Sequence, residues 1–410
     1  MTKNKLIVVT GLNIMALFAV AQPEITLSAA IDTAYKNNLE IKGQNLNAAY
    51  LEKLKKTGNT IPKTDASVEY GNFNSYYTDT KFGVGQTINF PTVYKRQKEL
   101  LNEEWRSGIL NVEVKRTEIR RQVTEVFYDV VYFLEKKKIL LQADSLYGEF
   151  LRKATLRFEK GEANILEKTT AETQRNQLTL QLRQLDEDIK ILQRRFQYLL
   201  NTPTDFLPLT ETLRMPLATS ADTSILRNHP QIKWLQQQLN IAEAQTKLER
   251  SKLSPDLSLS YTNQSFIGYQ NIDGRDKYFN AGRRFSSAQA GVAIPIFSSA
   301  QKARISASKI NQQVAENNYK VGTQALYSQY LQTFEQYQKY LQAVNYYETS
   351  ALPNATVIAN TANTQFSGGD INYLEWVLLM DQVITIRSDY IDAVRNLNTS
   401  VIQLNHYLNQ

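Results

Sequence analysis

Ten residues recur in this 410-residue chain. Phe158-Glu159-Lys160-Gly161-Glu162-Ala163-Asn164-Ile165-Leu166-Glu167 returns as Phe366-Ser367-Gly368-Gly369-Asp370-Ile371-Asn372-Tyr373-Leu374-Glu375, 208 positions on (158 to 366). Phe, Gly, Asn, Leu and Glu keep the same five places, and an acid follows each shared glycine. The glycines suit a chain reversal through left-handed backbone. Glu167 and Glu375 fall in the first turn of the helices that follow, where the dipole favours a carboxylate. The chemistry on offer is electrostatic. A catalytic set is missing: neither a nucleophile elbow nor a phosphate loop occurs, and the chain has no cysteine. The two histidines, His229 and His406, lie far apart near helix termini and read as surface residues. Acids such as Asp186, Glu187 and Asp188 belong to solvated helical charge runs.

A motif that returns in the same context marks a chain built from two copies of one unit. Asn37-Asn38-Leu39-Glu40-Ile41-Lys42 resembles Asn228-His229-Pro230-Gln231-Ile232-Lys233, 191 positions on (37 to 228). The second copy therefore holds about 17 more residues, and the polar stretch 270–285 is the expected place. Each copy reads as helix, hairpin, long helix, turn, helix. In the first, Leu27–Gly58 is helical, Asp65–Phe90 holds two strands, Val93–Lys160 is one long helix, and a last helix runs to Asn201. In the second, the matching pieces are Ser220–Leu253, Pro255–Phe297, Ser299–Ser367 and Ile371–Leu408, with Pro353 expected to kink the long helix.

A helix of about 68 residues spans roughly 100 Å, far beyond the globular norm. Ile119, Val123, Val126, Phe127, Val130 and Leu134 make a stripe wide enough for a coiled-coil seam. Leu331, Phe334, Gln338, Leu341 and Val344 predict its counterpart.

The strands alternate at period two. Ala66, Val68 and Tyr70 face one way, as do Phe82, Val84, Ile88 and Phe90; Leu257, Leu259 and Tyr261; and Ala288, Ala290, Val292, Ile294 and Ile296. Small or polar residues lie between them, which suits a membrane barrel with a wet interior. Four strands cannot close a barrel, and open edges in lipid leave backbone groups without partners. Several chains must then share one wall. Phe73, Tyr76, Tyr77, Phe266, Tyr269, Tyr278, Phe279 and Phe285 are candidates for an outer aromatic girdle.

Residues 1–21 carry Lys3 and Lys5, an apolar run from Leu6 to Val20, and Ala19-Val20-Ala21 before Gln22, the pattern of a secretory signal peptide. Without those two lysines the formal charge falls from +7 to +5, a mild excess spread along helices rather than a nucleic-acid footprint. The expected units are 1–21 (signal), 22–201 (first repeat), 202–222 (a strap carrying Pro203, Pro208 and Pro216) and 223–410 (second repeat).

The tandem repeat, two hairpins, two very long helices and paired Phe-x-x-Gly-x-x-Asn-x-Leu-Glu turns together resemble the TolC family of outer-membrane efflux and secretion channels. The likeness extends to the strand-to-helix junctions Gln86–Tyr94 and Ile294–Lys302. It implies a mainly α chain with membrane β-hairpins, forming an α-helical tunnel and a shared twelve-stranded β-barrel in a homotrimer, with outer-membrane lipid around it. It implies passive transport with no cofactor, metal or nucleic acid. The tip turns, with Phe158, Gly161, Asn164, Phe366, Gly369 and Asn372, would meet a periplasmic adaptor (a membrane fusion protein) served by an inner-membrane pump, of the RND class. Phe158 and Phe366 would pack beneath those turns. Glu375, with Glu167 as its counterpart, would lie at the periplasmic aperture. The family's second aperture acid is replaced by Leu378, which puts a two-layer acidic gate in doubt. The junction residues are similar to members that partner heavy-metal cation pumps. Two other readings stand beside this one: a type I protein secretion outlet of the same fold, and an envelope coiled-coil structural or adhesive protein.

Overall fold

The computed structural model describes residues 22–162, 164–210, 212–217 and 223–409; the expected signal peptide and residues 218–222 of the strap lie outside them. The first repeat begins with β1 (Glu24–Ile25), α1 (Leu27–Asn37) and α2 (Leu39–Leu54). The single helix expected here breaks at Asn38. Its N–H closes α1 on the Ala34 carbonyl at 2.8 Å, while its Oδ1 accepts the Glu40 and Ile41 N–H groups that start α2. Its Nδ2 donates to the Leu199 carbonyl at 2.9 Å, so one buried asparagine ends one helix, begins the next and ties both to a third.

Strands β2 (Asp65–Gly71) and β3 (Asp79–Ile88) lead into α3 (Pro91–Glu159), 69 residues with Pro91 in its first turn. That length is about 100 Å. After the Gly161 turn, α4 (Ile165–Leu200) returns and ends on Asn201 in the left-handed conformation. The strap contributes β4 (Leu207–Pro208), which pairs in parallel with β1. Asn398 binds the strap through Met215 N–H and the Leu213 carbonyl.

The second repeat has α5 (Pro230–Ser251), β5 (Asp256–Ser265), β6 (Gly268–Ile272), β7 (Arg275–Phe279), β8 (Arg284–Ala293), α6 (Ser299–Tyr346), α7 (Leu352–Gly368) and α8 (Tyr373–Leu408). The extra residues of this copy form the β6–β7 hairpin, turning at Asp273-Gly274. Pro353 is absorbed by a π turn at Tyr347–Ala351, which separates α6 from α7. Proline has no N–H to donate, and the wider turn adjusts the hydrogen-bond ladder around it.

Buried side chains lie in clusters along the helices. At the middle, Ile119, Val123, Val126, Phe127 and Val130 of α3 pack with Ala30, Ala34, Ile41, Phe196, Leu199 and Leu200. The seam expected on α6 holds at Val344, Phe334 and Leu341 and fails at Leu331 and Gln338. Leu326, Tyr330 and Thr333 face inward with Val344, whereas Leu331 is exposed. The four long strands form one sheet in the order β2-β3-β5-β8.

Candidate functional site

The two tip turns close with the same backbone and different side chains. Gly161 (φ 74°) and Gly369 (φ 84°) are left-handed. Glu162 N–H reaches the Arg157 carbonyl, and Asp370 N–H the Gln365 carbonyl, each at 2.8 Å. Asn164 and Asn372 then cap the returning helices, accepting from Leu166 N–H and Glu375 N–H at 3.0 Å. The asparagines and glycines of the repeated motif thus have a local structural cause.

The copies diverge beyond that. Glu375 completes a capping box, its carboxylate accepting Asn372 N–H at 2.9 Å. Glu167 instead pairs with Arg157 at 3.3 Å. The difference follows from one position: where the first copy has Arg157, the second has Gln365, which offers no cation. Likewise Phe366 packs against Phe150 (5.4 Å between ring centroids) and Trp376 (5.6 Å). Phe158, expected to pack the same way, is 37% exposed with the Lys168 ammonium over its ring. Lys168 occupies the place that Trp376 holds in the second copy.

Between the turns lies a groove of about 170 Å³ lined by Phe150, Leu156, Arg157, Glu167, Phe366 and Tyr373. The Tyr373 phenol is buried without a hydrogen-bond partner, and burial, with nearby Glu167, pushes its pKa up to about 12. Sequence reading missed Phe150, Tyr373 and Trp376 as the support of the tip, because their contact joins α3 to α8 across the chain. Leu374 and Leu378 are exposed beside Glu375, so an apolar side chain stands where a second acid was in question.

The histidine assignment is corrected. His229 is only 4% exposed, and its ring centroid lies 5.4 Å from that of His406. His229 Nδ1 accepts Gln231 N–H and caps α5. Burial, then proximity to His406, pushes His229 down to about 4; burial, then Arg121, lowers His406. Periodicity within one helix carries no signal for such a pairing.

At the opposite end, the sheet has two distinct faces. Register places Ala66, Val84, Tyr261 and Ala288 in one row, with Leu259 and Ala290, then Ile88, Leu257 and Val292, in rows nearer the helices. Val68, Val84, Leu259 and Val292 on this face are at least half exposed. The reverse face carries Ser67, Glu69, Gly83, Gly85, Ser258, Ser260, Thr262, Gln289 and Gly291. No other element of the chain covers the apolar face, and β2 and β8 end the sheet with unpaired edges among the described residues. Ten-residue strands match the length that crosses a bilayer at a tilt. No described helix is long and apolar enough to do so. Of the proposed girdle, Tyr76, Tyr77, Tyr269 and Tyr278 are exposed, whereas Phe266, Phe279 and Phe285 pack on one another as a knuckle under the extra hairpin.

Residues 223–410 match the outer membrane efflux protein family, and residues 22–201 repeat the same element order. The family likeness thus rests on the second repeat, and the whole chain has the fold of TolC-like channels. Solved structures share the fold over nearly the whole chain. A membrane protein from Pseudomonas aeruginosa superposes with a TM-score of 0.78 at 14% identity, covering 93% of both chains. CusC gives 0.77 at 16% identity, covering 96% of this chain and 95% of that one. The CmeC outer membrane channel of Campylobacter jejuni gives 0.75 at 14% identity, covering 93% and 85%. No curated protein sequence matches. The family matched by residues 223–410 is one of outer membrane efflux proteins, and CmeC is an outer membrane channel.

Proposed function

We propose that three copies close one conduit that passively conducts what an adaptor and an inner-membrane pump of the RND class deliver. The observation that carries this reading is the uncovered apolar face on a sheet with two open edges. Joining β8 of one copy to β2 of the next satisfies both edges and closes a ring. The helices continue that joint. Strand β2 is fed by α2, which exposes Leu39, Leu46 and Tyr50; β8 leads into α6, which exposes Ile310, Val314 and Val321. Both series follow three-four spacing, the pattern of a coiled-coil seam. Three copies of four strands give the twelve strands expected.

In this reading the tip turns (Phe158, Gly161 and Asn164; Phe366, Gly369 and Asn372) present the adaptor-docking surface. The groove between them supplies apolar contact edged by Arg157 and Glu167. Glu375 is the better candidate for the aperture, since Glu167 is held by Arg157. Its capping role does not exclude a ring: the side chain is exposed and keeps acceptor capacity beyond one N–H bond. Leu378 adds an apolar layer beside it. The junctions Phe90-Pro91-Thr92-Val93-Tyr94 and Gln301-Lys302-Ala303 favour the heavy-metal cation subgroup.

Purified in detergent, the protein is expected to run as heat-sensitive trimers and to form conducting channels in planar bilayers. Glu375→Gln is expected to lower cation preference. A monomer that never enters bilayers would overturn the channel reading, and unchanged selectivity would remove Glu375 from the aperture.

A further inference from the structure

The outer face of the sheet changes character in one row. Above Val68, Phe82, Asn263 and Ser286 comes a row in which Tyr70 pairs with Thr80 and Ser265 with Arg284, the two pairs joined by Thr80 N–H donating to Ser265 Oγ at 2.9 Å. This row lies toward the hairpin turns and away from the helices, at the extracellular rim of the apolar band. Arg284 is the only cation in it. Its guanidinium lies 4.9 Å over the Phe82 ring, on the apolar face. Nε donates to Asn263 Oδ1 (2.6 Å), Nη1 to Thr80 Oγ1 (2.7 Å) and Nη2 to the Asn263 carbonyl (2.7 Å). All three acceptors are neutral, and among the described residues no carboxylate forms an ion pair with Arg284.

Three acceptors from two strands therefore fix the orientation of a cation that no described carboxylate pairs with. A guanidinium has five N–H donors, so two remain beyond those three bonds. Its planar fork matches phosphate, and at a membrane rim the available phosphates are those of lipid headgroups. Exposed Tyr70, in the same row, adds an amphipathic ring of the kind found at the headgroup level.

We propose that Arg284, positioned by Asn263 and Thr80, binds the phosphate of an outer-leaflet lipid, with the phosphorylated glycolipid of that leaflet as its occupant. The site rests on the apolar face being the lipid face. It differs from the tip and aperture in both place and chemistry.

The test uses the full-length trimer in an uncharged detergent. Three lipids are added separately: a diphosphoryl lipid A, phosphatidylglycerol and phosphatidylcholine. Retained lipid is counted by native mass spectrometry. Wild type is expected to hold lipid A in preference to phosphatidylcholine. Arg284→Gln is expected to lower that retention about tenfold, the scale of one charge-assisted contact, and Arg284→Lys to keep part of it. Trimer migration and circular dichroism show that the variants are folded. A loss confined to phosphatidylglycerol would assign the same phosphate site to a phospholipid and overturn the glycolipid as its occupant. Folded Arg284→Gln trimers that retain every lipid as wild type does would overturn the proposal, without touching the channel reading, which depends on bilayer insertion alone.

Discussion

At the scale of single residues, the buried His229–His406 pair makes the body of the channel sensitive to acid. Burial disfavours the charged form of both rings; charging His406 adds a cation near Arg121 and Arg120, offset only in part by Glu118, and charging His229 adds one beside His406. A histidine with a folded pKa below its unfolded value contributes stability that is complete above about pH 6.5 and is lost as pH falls toward about 4. For His229 the difference corresponds to roughly 3 kcal/mol. His229→Asn keeps a side-chain oxygen for the cap on Gln231 and removes the titration. Melting between pH 7.5 and 4.5 should then show a shallower loss for the variant, even if its neutral-pH stability is lower. An identical slope would place the acid response elsewhere.

At the scale of elements, the tip is a clamp whose parts come from α3, α7 and α8. Trp376 is fully buried, lies 3.6 Å from Phe150 between ring centroids and donates to Asn363 Oδ1 at 3.0 Å. Trp376→Ala removes that wedge at about 3–5 kcal/mol. The loss should appear as faster amide exchange over residues 360–380 while the trimer and its sheet persist. Slow exchange there would mean that the turns hold by their caps alone. The repeated Phe, Gly, Asn, Leu and Glu were legible as a pair of turns because caps and left-handed glycines are local requirements. Their unequal support was not: Lys168 and Trp376 occupy matching places, and only the packing of α3 on α8 reveals that one turn has an aromatic floor and the other a cation over an exposed ring.

At the scale of the whole molecule, the proposed trimer puts the unpaired edges and the exposed seams on α2 and α6 in one surface between copies. Val321 is 56% exposed and has a place in that seam. Val321→Lys is expected to shift the population from trimer to monomer in detergent, read by light scattering, while secondary structure is kept. A trimer of unchanged stability would place the subunit contact on another face.

The sequence by itself determined the duplication, the two hairpins, the long helices and the turn positions, because each rests on spacing within a short stretch of chain. It also placed the extra residues of the second copy, since an offset between repeats is countable. Tertiary structure decided which residues of the α6 stripe face inward, the meeting of His229 with His406, and the row in which Arg284 stands. These depend on rotation of one helix against another and on strand register, which are set by contacts between residues remote in sequence.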